Sequence, residues 1–233
     1  MTDRNAQVNL TQLATKHRSD KGNVKQAHMY TLAYELLFYP YKNRPVSLME
    51  MGLQIGGPEN GFDASRETNK VPSVSMWLEY FDHVHVTGVD ISDFSWVDDP
   101  KFEYIHCDMD KRQNLKKLAE SVTREYDFII DDASHASHHQ QYGFLELWNT
   151  LKPGGLYIIE DLHWQPKAYE KPDFTKTGEL FRAFTETGKF SHSDTDLERD
   201  FTAIAPEISL AYVFPHRYIR RKANKFLVVH KQP

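Results

Sequence analysis

From residue 46 onward, short β-type runs alternate with stretches of helical periodicity, and this alternation is the signature of a parallel sheet with helices on both faces. The runs Val46 to Met51, Val84 to Val89, Phe102 to His106, Tyr126 to Asp131 and Leu156 to Glu160 are predicted as five successive strands. Between them, Ser73 to Phe81, Lys111 to Val122 and His138 to Leu151 are predicted as helices, the last closed by Pro153-Gly154-Gly155. Beyond strand five, the segment from His163 to about Lys176 reads as a loop and Thr177 to Thr185 as a helix. Ile208 to Phe214 and Lys225 to His230 read as two further strands joined by a basic turn, Arg217 to Lys225. Two helical stretches, Leu10 to His17 and His28 to Tyr39, precede strand one and flank the polar turn Arg18-Ser19-Asp20-Lys21-Gly22.

No Pro-, Gly- or Ser-rich linker divides the 233 residues, so a single domain is expected over 1–233, with 1–45 as a helical N-terminal lid and 46–233 as the core. The net charge of -5 argues against a surface for nucleic acid or anionic membrane, which needs clustered Lys and Arg. The single cysteine, Cys107, cannot form an intrachain disulfide or a Cys-rich zinc site. Met1 to Leu10 is too polar for a secretory signal, and no apolar run approaches membrane-spanning length, so the expected location is the cytoplasm.

In open parallel sheets, ligands sit outside the carboxyl ends of the strands. Strand one ends in Glu50-Met51-Gly52, with Gly56, Gly57 and Gly61 following, a turn that lets a ligand approach the backbone. Strand two ends at Asp90, placed to accept hydrogen bonds from ribose hydroxyls, and strand three runs into Asp108, near the place of an adenine amino group. Each acid alone reads equally as a helix cap or turn residue. Together, acids at three successive strand ends suit a cationic sulfonium nucleoside better than a phosphate-bearing dinucleotide. The Gly-x-Gly-x-x-Gly fingerprint is absent, and Glu50 and Asp90 stand about twice as far apart as the ~20 residues of a nicotinamide site.

Strand four ends in Asp131-Asp132-Ala133-Ser134-His135 and strand five in Glu160-Asp161-Leu162-His163. Neighbouring strand ends would crowd four carboxylates at one rim, which calls for a cation. Asp132, Glu160 and Asp161 form an all-oxygen set suited to Mg²⁺ or Mn²⁺. His135, three residues after Asp132, suits a general base. His138 and His139 read as exposed helix residues, and His163 with Trp164 either as lining of an acceptor pocket or as ordinary loop packing.

The motifs Asp127-Phe128-Ile129-Ile130-Asp131-Asp132-Ala133-Ser134-His135 and Leu151-Lys152-Pro153-Gly154-Gly155-Leu156-Tyr157-Ile158-Ile159-Glu160-Asp161-Leu162 resemble those of class I S-adenosylmethionine-dependent methyltransferases. Within that class they are similar to the metal-dependent sugar O-methyltransferases of antibiotic biosynthesis, the macrocin and mycinamicin type. The resemblance covers about residues 10 to 163. It implies Mg²⁺ on Asp132, Glu160 and Asp161, a base at His135, and a doubly wound Rossmann-like α/β sheet of seven mostly parallel strands with the last antiparallel. Ser19-Asp20-Lys21-Gly22 and His28-x-Tyr30-x-x-x-Tyr34 resemble a segment that folds over the cofactor, and Ser73 the start of the first core helix. The expected cofactor set is thus Glu50, Gly52, Gly56, Asp90, Asp108 and Asp131, joined through the resemblance by Lys21, Tyr30 and Ser73. Two departures stand out: Ala133 where the family usually has Gly, and the stretch Gly56-Gly57-Pro58-Glu59-Asn60.

The reaction so implied is methyl transfer to a hydroxyl of a sugar or glycosylated small molecule, with homo-oligomerisation left open. A metal-assisted hydrolase would use the same carboxylates but would not need Asp90 and Asp108. A nucleoside-binding module without turnover would need no base.

Overall fold

The computed structural model describes residues 8–22, 28–54, 70–169, 171–215 and 224–233. Gly56, Gly57, Gly61 and residues 217–223 of the basic turn lie outside the described residues. Helix α1 (Leu10–His17) starts at a reciprocal cap, in which the Asn9 side chain accepts from Gln12 N while the Gln12 side chain accepts from Asn9 N. Helix α2 (Tyr30–Phe38) follows, then β1 (Pro45–Met51) and α3 (Pro72–Tyr80). Pro72 opens α3 because the first turn needs no amide donor there. Next come β2 (His83–Asp90), β3 (Phe102–His106), α4 (Arg112–Ser121), β4 (Tyr126–Asp131), α5 (Ser137–Leu147) and β5 (Leu151–Ile159). The chain closes with α6 (Thr177–Thr187), α7 (Thr195–Ile204), β6 (Ile208–Pro215) and β7 (Asn224–Lys231).

The seven strands run in the order β3-β2-β1-β4-β5-β7-β6, parallel from β3 to β5, with β7 antiparallel to both of its neighbours. The order reverses between β1 and β4, and at such a switch point a cleft opens beyond the strand ends. Alternation along β1 sends Val46 and Leu48 to one sheet face and Met49 and Met51 to the other. The first face is covered by α1, α2 and α3, with Tyr34, Phe38, Trp77 and Phe81 closing over Phe128. The second is covered by α4 to α7, where Phe144 packs on Tyr157, Phe181 and Phe201.

Two elements depart from the reading of the sequence. Pro153-Gly154-Gly155 does not end the preceding helix as a free turn but lies inside β5 as an irregularity. Tyr126 pairs with Leu151 and Phe128 already with Leu156, and Gly154 takes φ 75° to absorb the extra residues. Helix α7, unassigned from the sequence, is capped by Asp194, whose side chain accepts from Asp196 N and Leu197 N. Its Leu197 and Phe201 are buried in the second core.

Candidate active site

Beyond the carboxyl ends of β1, β2, β3 and β4 lies a cleft of about 600 Å³ including its open mouth, lined by Gly52, Asp90, Asp108, Ser134, His139 and Tyr169 among others. Gly52 has φ 86° and sits against the β4 loop, which leaves no room for a side chain. The Asp90 carboxylate accepts from Leu53 N at 2.6 Å and Ser92 N at 2.7 Å, so it is aimed by the loops after β1 and β2. Burial pushes its pKa up against the pull of those amides.

His138 and His139 are not exposed helix residues: each is 3% accessible. The 163–177 segment folds back over the start of α5. Gln165 accepts from Ser137 N at 2.8 Å, and Phe174 packs on His138 and Tyr169 on His139. The His139 imidazole bridges Ser134 Oγ at 2.6 Å and Asp110 Oδ1 at 3.3 Å on the cleft wall, a placement with no periodic signal in the sequence.

Next to this cleft, through the loop 132–135, is an acidic centre. Asp132, His135 and Asp161 each offer a ligand atom, all within 4.8 Å of one another. Glu160 adjoins them through Lys21, whose Nζ lies 2.5 Å from Asp132 Oδ2, 2.9 Å from Glu160 Oε1 and 3.3 Å from Glu50 Oε1. Lys21 is 1% accessible. Its pKa is raised well above the ordinary value: burial lowers it most as a single cause, but Asp132, Glu160 and Glu50 together outweigh burial. Burial in turn pushes Glu160, Asp132 and Glu50 upward, with Lys21 opposing in each case. Both directions follow from one imbalance, since a single ammonium cannot neutralise the buried Glu50 and Glu160 together with the partly buried Asp132. The residues present therefore fit a further, hard cation.

Asp161 behaves differently. Burial acts upward, but His135, the Tyr30 hydroxyl, His28 and Lys225 together hold its carboxyl below the usual range. Tyr30 Oη donates to Asp161 Oδ1 at 2.5 Å, and Tyr34 Oη donates to Glu160 Oε1. Lys225 Nζ lies 3.9 Å from Asp161 Oδ1 and 4.3 Å from the centre of the Tyr30 ring. Tyr34, which the sequence offers only as part of the His28-x-Tyr30-x-x-x-Tyr34 segment, and Lys225 are additions to the expected acidic centre. The four-residue step from Tyr30 to Tyr34, which puts both hydroxyls on one helix face, was the available signal for the first. Nothing local marks Lys225 as a site residue; β7, paired antiparallel beside β5, brings it to Asp161.

His135 Nε2 lies 3.9 Å from Asp161 Oδ2, its ring meets Trp164 edge-on at 5.4 Å, and its Nδ1 is buried without a hydrogen-bond partner among the described residues. His135 and Asp161 both adopt left-handed backbone, φ 60° and 51°. Such conformations cost about 1–3 kcal/mol each and persist where the surroundings impose them. His163 Nδ1 is 3.6 Å from Asp161 Oδ1, and Trp164 is 39% accessible. Glu50 is fully buried and accepts from Trp77 Nε1 at 3.1 Å, with Ser73 as a further hydrogen-bond partner. Asp131 does not line the cleft. It lies under α5 near Gly143 and Tyr157, where burial pushes its carboxyl up to about 7.

This sheet order, with its reversed last strand and helices on both faces, is the Rossmann-like fold of class I methyltransferases. The MycE methyltransferase of the mycinamycin pathway, solved with Mg, SAH and mycinamycin VI, superposes with a TM-score of 0.71 at 24% identity, over 97% of this chain and 55% of that one. No family model matches the chain. The curated proteins it matches are named as O-methyltransferases. One is the 8-demethyl-8-alpha-L-rhamnosyl tetracenomycin-C 2'-O-methyltransferase of Streptomyces olivaceus, 36% identical over 178 residues, 74% of this chain and 44% of that protein. Another is the mycinamicin VI 2''-O-methyltransferase of Micromonospora griseorubida, 33% identical over 138 residues, 58% of this chain and 32% of that protein. The aligned parts thus cover less than half of these two relatives, and the superposition about half of MycE.

Proposed function

We propose that the chain is an S-adenosylmethionine-dependent, divalent-cation-assisted O-methyltransferase acting on a hydroxyl of a sugar or glycosylated natural product. The observation that carries this reading is the loop 132–135, which serves both halves of the site. Ala133 and Ser134 line the cleft, while Asp132 and His135 belong to the acidic centre. Gly52, Asp90 and Asp108 would hold the nucleoside, and Asp132, Glu160 and Asp161 would hold the cation. Mg²⁺ or Mn²⁺, when bound, supplies Lewis-acid stabilisation of the charge that develops on an acceptor hydroxyl.

His135 would take the proton of that hydroxyl on Nε2, as the oxygen forms its bond to the methyl carbon and the carbon–sulfur bond breaks. The neighbouring Asp161 stabilises the imidazolium so formed. His163 and Trp164, just past the acid pair, would hold the sugar, whose face suits an exposed indole. Reaction between two pre-aligned partners gains chiefly from orientation, the role of the pinned loops at Asp90 and Asp132.

The test is methyl transfer from S-adenosylmethionine to a panel of rhamnosides and other deoxysugar glycosides, with and without EDTA. Turnover abolished by EDTA and restored by Mg²⁺ is expected. Turnover that persists in EDTA would sink the cation part of the reading. Absence of any melting-temperature rise with S-adenosylmethionine, against NAD as control, would sink the cofactor part.

A further inference from the structure

Every carboxylate offered to the cation already has one oxygen taken by a residue from the chain before β1. Tyr30 takes Oδ1 of Asp161 at 2.5 Å, Tyr34 takes Oε1 of Glu160, and Lys21 takes Oδ2 of Asp132 at 2.5 Å while sharing Glu160 Oε1 at 2.9 Å. The three donors come from two neighbouring turns of backbone, the 3₁₀ turn Asp20–Gly22 and the first half of α2. All three are almost completely buried.

We infer that Lys21, Tyr30 and Tyr34 are positioning residues that hold Asp132, Glu160 and Asp161 as one-oxygen ligands and so select a small octahedral cation over a larger one. The inference rests on the cation reading above. A carboxylate whose second oxygen accepts from a buried donor is fixed in orientation, and swinging into bidentate contact would have to strain or compete with that bond. Three one-oxygen ligands leave three octahedral positions for water or acceptor oxygens, the arrangement Mg²⁺ takes readily. Ca²⁺ prefers six to eight oxygens at longer distances, commonly with bidentate carboxylates, and the held oxygens of this centre disfavour that option. The same contacts assign the N-terminal segment a role at the cation: it carries the outer shell of hydrogen bonds that orients the ligands.

The experiment is calorimetric titration of Mg²⁺ and of Ca²⁺ into wild type, Tyr34→Phe and Tyr30→Phe, with melting temperatures in EDTA. The Tyr34 ring packs on Phe38 and Trp77 through its carbon faces, so Tyr34→Phe keeps its packing. Mg²⁺ affinity is expected to fall ~10- to 100-fold in Tyr34→Phe, as for loss of an outer-shell partner, with Ca²⁺ affinity falling far less. The Mg²⁺/Ca²⁺ ratio should drop accordingly, whereas a merely structural tyrosine would lower the melting temperature in EDTA and leave the ratio alone. Wild-type affinities and ratio in both variants would overturn the inference while leaving the cation reading intact. A wild-type protein that binds neither cation would overturn both.

Discussion

A β-carbon placed on Gly52 would lie 2.2 Å from the carbonyl oxygen of Asp132 and 2.6 Å from the α-carbon of Ala133. The ends of β1 and β4 touch here, and Asp132 N donates to Met51 O at 2.9 Å across the same junction. Gly52→Ala therefore combines a clash against backbone with an unfavourable φ, a cost of roughly 2 to 5 kcal/mol. Urea denaturation at constant slope, together with Mg²⁺ titration, measures both consequences. Wild-type stability with wild-type cation affinity would show that the Asp132 loop yields freely.

Asp90 holds Leu53 N and Ser92 N, so its removal would loosen two loops along with any bound ribose. Asp90→Asn keeps the shape and one acceptor. Its affinity for S-adenosylmethionine is expected to fall by about 1.5 to 3 kcal/mol, the scale of hydrogen bonds to a charged group. Calorimetry giving unchanged affinity would remove Asp90 from the nucleoside site.

For His135 the informative replacement is Asn, which accepts the left-handed backbone that His135 adopts. Turnover should drop ~10² to 10⁴-fold, as when a general base is removed, with cofactor and cation affinities near wild type. Single-turnover assays across a Mg²⁺ series separate the roles. Recovery at high Mg²⁺ would make His135 a ligand, and undiminished turnover would place the base elsewhere.

Burial first, and then the nearby His139 and Lys171, lower the pKa of His138 to about 3 against the opposing pull of Asp110. In the unfolded chain it would titrate near 6.5. Because the unfolded state binds the extra proton between those values, stability is full above about 6.5 and declines as pH falls toward 3. The steepest slope from this one group is about 1.4 kcal/mol per pH unit. His138→Phe should flatten that decline, as read from urea midpoints between pH 4 and 8. An identical pH profile in the variant would mean that His138 is protonated in the folded protein.

The fold was legible because it rests on local periodicity. Phe102–His106, Tyr126–Asp131 and Leu10–His17 stand where the pattern put them, and the remaining boundaries mostly move by a residue or two. Where the pattern failed, a long-range constraint had overridden a local signal: pairing with β4 carries β5 straight through Pro153 and Gly154, which in isolation spell a turn. The strand-end positions of Asp90, Asp108, Asp132, His135, Glu160 and Asp161 were legible for a related reason. Each ends or just follows a strand, and in a parallel sheet strand ends converge on one rim.

The order of acids along the chain determined that carboxylates would gather beyond the strands, because strand polarity alone sends them there. Only the tertiary structure decided how each carboxylate is held. The donors that fix their oxygens come from Lys21, Tyr30 and Tyr34, 111 to 139 residues away in the chain. Burial of His138 and His139 was likewise decided at a distance, by the segment after β5 folding over α5. A charged lysine can be buried at Lys21 only once Glu50, Asp132 and Glu160 surround it, and no residue beside it in sequence announces that company.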